Sequence, residues 1–139
     1  MTSRRHQARE AALQILYFWE VGRTDPGQAI GAYFSTHQPE ASDESRAFAE
    51  QLVHGTIADL ESIDRLIEQH SANWRIERLA SLDRLILRLA TFELQHQPDV
   101  PAAVVIDEAL ELARTFSADE SVRFVNGVLD AIRQALGRA

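Results

Sequence analysis

Apolar residues recur at three- and four-residue spacing through most of this chain, and no stretch sustains the alternation of a half-buried strand. The pattern therefore predicts an all-α protein. The first helix is expected from roughly Ser3 to Val21, with Ala8, Ala12, Ile15, Leu16 and Trp19 on one stripe and Gly22 ending it. Arg5 and Arg9, four residues apart, are expected to share its polar face. Asp25-Pro26-Gly27-Gln28 suits a second helix start, with Asp25 as N-cap, proline at the first position and Gln28 reaching back. That short helix carries Ile30, Tyr33 and Phe34. Beyond the polar linker of residues 35–41, Ser42 can cap one long helix that buries Phe48, Leu52, Leu60, Ile63 and Ile67, with Asp43 and Glu44 at the positive end of its dipole. Gly55 inside it suggests a closely packed neighbour.

The pattern restarts around Asn73-Trp74, and residues 81–96 are apolar on most sides, which places that helix at the centre of a bundle. Its polar strip holds Asp83, Arg84 and Arg88, the two arginines facing the same way. Pro98 and Pro101 break the chain before an amphipathic helix carrying Val105, Ile106, Ala109, Leu112, Ala113 and Phe116. Ser117-Ala118-Asp119-Glu120 reads as a capping box opening a last helix with Val122, Val125, Val128, Leu129, Ile132 and Leu136. Asn126-Gly127 would ordinarily suggest a hairpin, yet its flanks keep helical spacing, so it is read as helix, with Gly127 where a neighbouring helix approaches closely.

Composition narrows the classes. A chain of 139 residues, 45% hydrophobic, suffices for one domain, numbered 1–139. No run approaches a membrane span, and Met1-Thr2-Ser3-Arg4-Arg5 leads into no apolar signal stretch, so a soluble cytoplasmic protein with no membrane partner is expected. Without cysteine it has neither disulfides nor a thiol nucleophile. A net charge of -7 opposes binding to a polyanion unless positive charge is concentrated locally. The first ten residues provide that, with Arg4, Arg5 and Arg9 against Glu10 alone. A solvated helix start explains the same cluster, and the residues by themselves leave both readings open.

The histidines at 6, 37, 54, 70 and 96 include no pair spaced four apart, and no phosphate loop, dinucleotide fingerprint or nucleophile elbow occurs. No catalytic constellation, cofactor or metal site is expected, which favours a binding protein over an enzyme. One cluster remains, Arg123-Phe124-Val125-Asn126-Gly127. Phe124 falls off the centre of its helix's apolar stripe, where it could stack on a nucleobase or cover a neighbouring helix.

Three blocks of sequence carry a family resemblance. They are the opening Arg4-Arg5-His6-Gln7-Ala8-Arg9-Glu10-Ala11-Ala12-Leu13-Gln14-Ile15-Leu16-Tyr17; then Asp83-Arg84-Leu85-Ile86-Leu87-Arg88-Leu89-Ala90-Thr91-Phe92-Glu93-Leu94 with Val100-Pro101; and residues 106–116 with Ser121 and Phe124-Val125-Asn126-Gly127-Val128-Leu129-Asp130. In order and spacing they resemble the NusB family. The resemblance implies a bundle of about seven helices in two packed sub-bundles, about 1–72 and about 73–139. It implies an adaptor for processive antitermination, chiefly on ribosomal RNA operons, binding boxA-type RNA jointly with the ribosomal protein NusE and acting on RNA polymerase with other Nus factors. It assigns RNA contacts to Arg4, Arg5, Arg9, Arg88, Phe124 and Asn126, assigns partner contacts to Tyr17 and Asp83, and leaves room for a homodimer when the protein is free. An acidic body would draw a basic ribosomal protein while the arginines meet phosphate. The chain departs from the family where His6 and Gln7 replace basic residues, where Ser117 replaces a glycine, and where Asp107 replaces asparagine. The alternatives are an isolated NusB-like RNA-binding domain related to ribosomal RNA methyltransferases, and a helical interaction scaffold without RNA binding.

Overall fold

The computed structural model describes residues 3–72 and 74–139; Met1, Thr2 and Asn73, where the apolar pattern was seen to restart, lie outside the described residues. Those described form seven α-helices, one short 3-10 turn and no strand. The helices are α1 (Arg4–Val21), α2 (Pro26–His37), α3 (Asp43–Ala58), α4 (Leu60–Gln69), α5 (Ser81–His96), α6 (Ala102–Phe116) and α7 (Asp119–Ala135), with the 3-10 turn at Ile76–Arg78. The all-α expectation holds, and none of the described helices is long and apolar enough to cross a membrane.

The first compact unit ends at Ala58 and contains α1 to α3. Ser3 starts α1 because its hydroxyl accepts the His6 backbone N–H at 3.0 Å, satisfying one of the donors a helix start leaves over. Gly22 ends it: a Cβ there would lie 2.8 Å from the Phe18 carbonyl oxygen. Asp25 accepts from the Gln28 N–H at 3.2 Å, and Ser42 from the Ser45 N–H at 3.1 Å, so both expected caps form. Ala8, Ala11 and Ala12 are fully buried, and such small side chains let α1 approach α2 and α3 closely around Leu13, Ile15 and Leu16. Trp19, expected on this stripe, is only half-buried. Tyr33 is buried with its hydroxyl near the amides of Gln14 at 3.3 Å and Gln38 at 3.2 Å. Burial pushes its pKa above the ordinary 10.0; the Gln38 hydrogen bond opposes that shift, and the charge of Glu10 adds to it.

The second compact unit begins at Asp59 and contains α4 to α7. The expected single long helix is two, because the chain turns at Asp59 between α3 and α4. Periodicity alone hides this break: Phe48, Leu52, Leu60, Ile63 and Ile67 stay in helical phase across it. Asp59 gives α4 no side-chain cap and binds His96 Nε2 at 2.8 Å instead, joining the start of α4 to the end of α5. α5 is the centre of this unit, buried continuously from Leu85 to Leu94, with α4, α6 and α7 packed on it. Arg138 donates to the carbonyls of Leu94 and Val100 at 2.6 Å each, satisfying one of the acceptors left over in the last turn of α5.

Two expectations for α7 are corrected. Its N-cap is Ala118 with no side-chain bond, so the Ser117–Glu120 capping box does not form. The Ser117 hydroxyl is instead oriented toward α5, where it donates to the Asp83 carboxylate at 2.9 Å in a charge-assisted bond. Gly127 lies in the helix as read, but it is exposed, and an added Cβ would meet nothing within 4 Å. No close helix approach requires it. Gly127→Ala is therefore expected to raise stability by up to about 1 kcal/mol through helix propensity, measurable as an increased urea midpoint; a lowered midpoint would show that the glycine is needed.

Candidate nucleic-acid interface

In the first unit, Arg4 and Arg5 occupy the exposed first turn of α1. The Arg5 guanidinium lies 4.3 Å from the Phe48 ring centroid, and that of Arg9 lies 5.4 Å from the same ring. The two therefore converge on one aromatic of α3, a cation–π arrangement. Their shared polar face is not realised, however, because Arg9 is 3% exposed while Arg5 is open to solvent. Position 9 lies between buried Ala8 and Ala12 on the side facing α3, where only the flexible arginine stem lets its head reach the ring. Glu10 pairs with His6 at 2.9 Å, both partly buried, so the acid of this segment is turned onto its neighbour.

Tyr17 is exposed near the other end of α1, about 18 Å from Arg5 at the helical rise per residue. It contacts Phe18 edge-on, with centroids 6.4 Å apart, and both rings face solvent. The structure does not bring it to the arginine cluster.

In the second unit a groove of about 360 Å3 is lined by Trp74, Arg78, Leu79, Asp83, Ser121 and Phe124, among others. Phe124 is half-buried, so one part of its ring packs while another faces the groove; Asn126 is exposed on the same helix. Asp83 accepts from Ser117 at 2.9 Å through Oδ1 and from Ser121 at 3.0 Å through Oδ2. The carboxylate thereby fixes the start of α7 against α5, and its role is at least partly internal.

Arg88 departs furthest from expectation. It is 7% exposed, and its fork is filled by Asp64 of α4, with Nε to Oδ1 at 2.8 Å and Nη2 to Oδ2 at 2.9 Å. The polar strip that holds Arg84 and Arg88 is turned toward protein. Arg84 donates to the carbonyls of Leu79 at 3.0 Å and Ile76 at 3.5 Å, bracing the 3-10 turn. Arg88 lies within the continuously buried run of α5, where a charge persists only with a close partner. Sequence reasoning missed Asp64, Phe48 and Trp74. The signal for Asp64 was present, since an acid beside the stripe residues Ile63 and Ile67 is well placed to meet a charge on the facing helix.

The NusB family model matches residues 6–134. The chain belongs to the NusB family. Among curated NusB proteins, the transcription antitermination protein of Solibacter usitatus is 48% identical over 98% of this chain and 92% of its own length. That of Sorangium cellulosum is 43% identical over 96% and 94%. Solved NusB structures share the fold: T. maritima NusB superposes with a TM-score of 0.87 at 33% identity, covering 96% of this chain and 93% of that one. A structure of the antitermination factors NusB and NusE in complex with dsRNA gives a TM-score of 0.88 at 29% identity, covering 97% and 99%. Arg9, Arg88, Phe124 and Asn126 fall inside the span matched to the NusB family, whereas Arg4 and Arg5 precede it.

Proposed function

We propose that this protein is a non-catalytic transcription antitermination factor of the cytoplasm. It binds boxA-type RNA jointly with NusE and, with RNA polymerase and other Nus factors, supports processive transcription of ribosomal RNA operons. The observation that carries this reading is the likeness, across 97% of the chain, to a NusB solved with NusE and dsRNA, joined to family membership over residues 6–134. Arg4 and Arg5 supply phosphate contacts, with Phe48 beneath Arg5 limiting where its guanidinium can go. Arg9 supports the same ring from the buried side. Phe124 offers a face for base stacking and Asn126 an amide for a base edge. Arg88 acts through the fold by holding α4 on α5. Tyr17, with exposed Phe18 beside it, offers NusE an apolar surface, and Asp83 offers a basic partner the carboxylate lone pairs its two serines leave over.

The test is a fluorescence-anisotropy titration of boxA-type and scrambled RNA with the protein plus NusE. The boxA-type RNA is expected to bind more tightly, and the double variant Arg4→Ala/Arg5→Ala is expected to lose affinity while still forming the heterodimer. Equal affinity for both RNAs would refute the sequence-specific reading. Sedimentation of the protein without NusE reports whether the free form is a homodimer.

A further inference from the structure

Two depressions in the second unit meet at Trp74. One, of about 280 Å3, is lined by Ala72, Trp74, Arg75 and Arg78; the other is the Phe124 groove, and Trp74 and Arg78 line both. Trp74 is 52% exposed, although tryptophan has more apolar surface to gain from burial than almost any other side chain. The described residues beside it are tied by several hydrogen bonds. Ala72 sits in the left-handed region at φ 53°, the Trp74 N–H donates to the Ser71 carbonyl at 3.1 Å, and the Ser71 hydroxyl donates to the Trp74 carbonyl at 3.1 Å. Glu68 of α4 accepts the Ile76 N–H at 2.9 Å. Trp74 is thus exposed although both of its backbone groups are bonded to Ser71. Arg75 beside it has a loose ion pair with Glu77, 3.9 Å apart and both well exposed, which leaves its charge available.

We propose that Trp74, Arg75 and Arg78 form a binding site for one unpaired nucleotide of RNA, with the base stacked on the indole and its phosphate held by the two arginines. The site rests on the RNA-binding reading above and extends it to residues that reading does not use. Polarity fixes the orientation. Arginines line the Trp74 end, whereas Glu120 lines the Phe124 end, where it repels phosphate and can accept an N–H from a base edge. An acidic peptide would meet the same arginines but would be opposed by that carboxylate and would bring no flat face to cover the indole.

The decisive experiment uses full-length protein carrying Trp19→Phe, which leaves Trp74 as its only tryptophan. Titrating boxA-type RNA into its complex with tryptophan-free NusE is expected to quench Trp74 emission in step with binding followed by anisotropy. In the otherwise unsubstituted protein, Trp74→Ala is expected to weaken RNA binding about tenfold, Trp74→Phe to retain most of it, and Arg75→Gln to weaken it and flatten its salt dependence. NusE binding should be unchanged in all three. RNA that binds without altering Trp74 emission would overturn the site while leaving the RNA-binding reading intact, and so would unchanged affinity in a folded Trp74→Ala. Quenching by NusE alone, with none added by RNA, would make this a protein contact and overturn the proposal. If the unsubstituted heterodimer bound no RNA, the reading beneath it would fall as well.

Discussion

Asp64→Ala is expected to destabilise the protein by about 3 kcal/mol or more, because it strips a buried guanidinium of the carboxylate that fills its fork. The pair is short and bidentate, and the Arg88 side chain is almost wholly out of water, so the lost attraction cannot be replaced by solvation. Arg88→Met keeps an unbranched stem of similar reach and removes the charge along with its need for a partner, so it should cost much less. Urea denaturation of the two variants gives the comparison. Asp64→Ala that still folds should bind RNA with NusE as the unsubstituted protein does. A normal stability for Asp64→Ala, or RNA affinity lost in Arg88→Met without loss of stability, would return Arg88 to the binding surface.

Phe124→Ala is expected to weaken RNA binding by about 1 to 3 kcal/mol, the usual worth of one base–aromatic stack, while lowering stability less than deletion of a core residue. Leu129, fully buried on the same helix, supplies the standard: Leu129→Ala should cost roughly 2 to 5 kcal/mol of folding stability. Phe124 is half-buried and lines an open groove, so little cavity would be created by its removal. A melting temperature that falls as far as that of Leu129→Ala, with RNA affinity unchanged, would assign the ring to packing alone.

What the sequence discloses here follows from what periodicity can register. The bounds of α5 were legible because the apolar run is long, and those of α1 and the start of α2 because Ser3, Gly22 and Asp25 are strong local signals, but α2 runs on to His37 through polar residues that were read as linker. The break at Asp59 was not legible, since the apolar phase runs through it and the residue's commitment to His96 is a tertiary fact. Ser117 shows the same limit in another form. A local motif proposed a cap, and a carboxylate 34 residues earlier in the chain took the hydroxyl. Among the site residues, spacing could show that Arg84 and Arg88 share a face but not that this face meets protein. Arg9 was misjudged for the same reason, its partner Phe48 lying on another helix. Arg4, Arg5 and Asn126 did prove exposed, as residues at a helix start and beside an exposed glycine often are.

The central claim is that RNA recognition is shared between this protein and NusE, and the dependence of RNA affinity on salt, measured with and without NusE, tests it most directly. A protein with a net charge of -7 that presents Arg4 and Arg5 as its α1 phosphate contacts should bind boxA-type RNA weakly by itself. Two contacts at about 0.7 each give a log–log salt slope near -1.4, and contacts at Arg75 and Arg78 would bring it to about -2.8. Adding basic NusE should tighten binding and steepen the slope, because further phosphate contacts release further counterions. Equal affinities and equal slopes in the two titrations would contradict a shared site, even if the protein bound RNA.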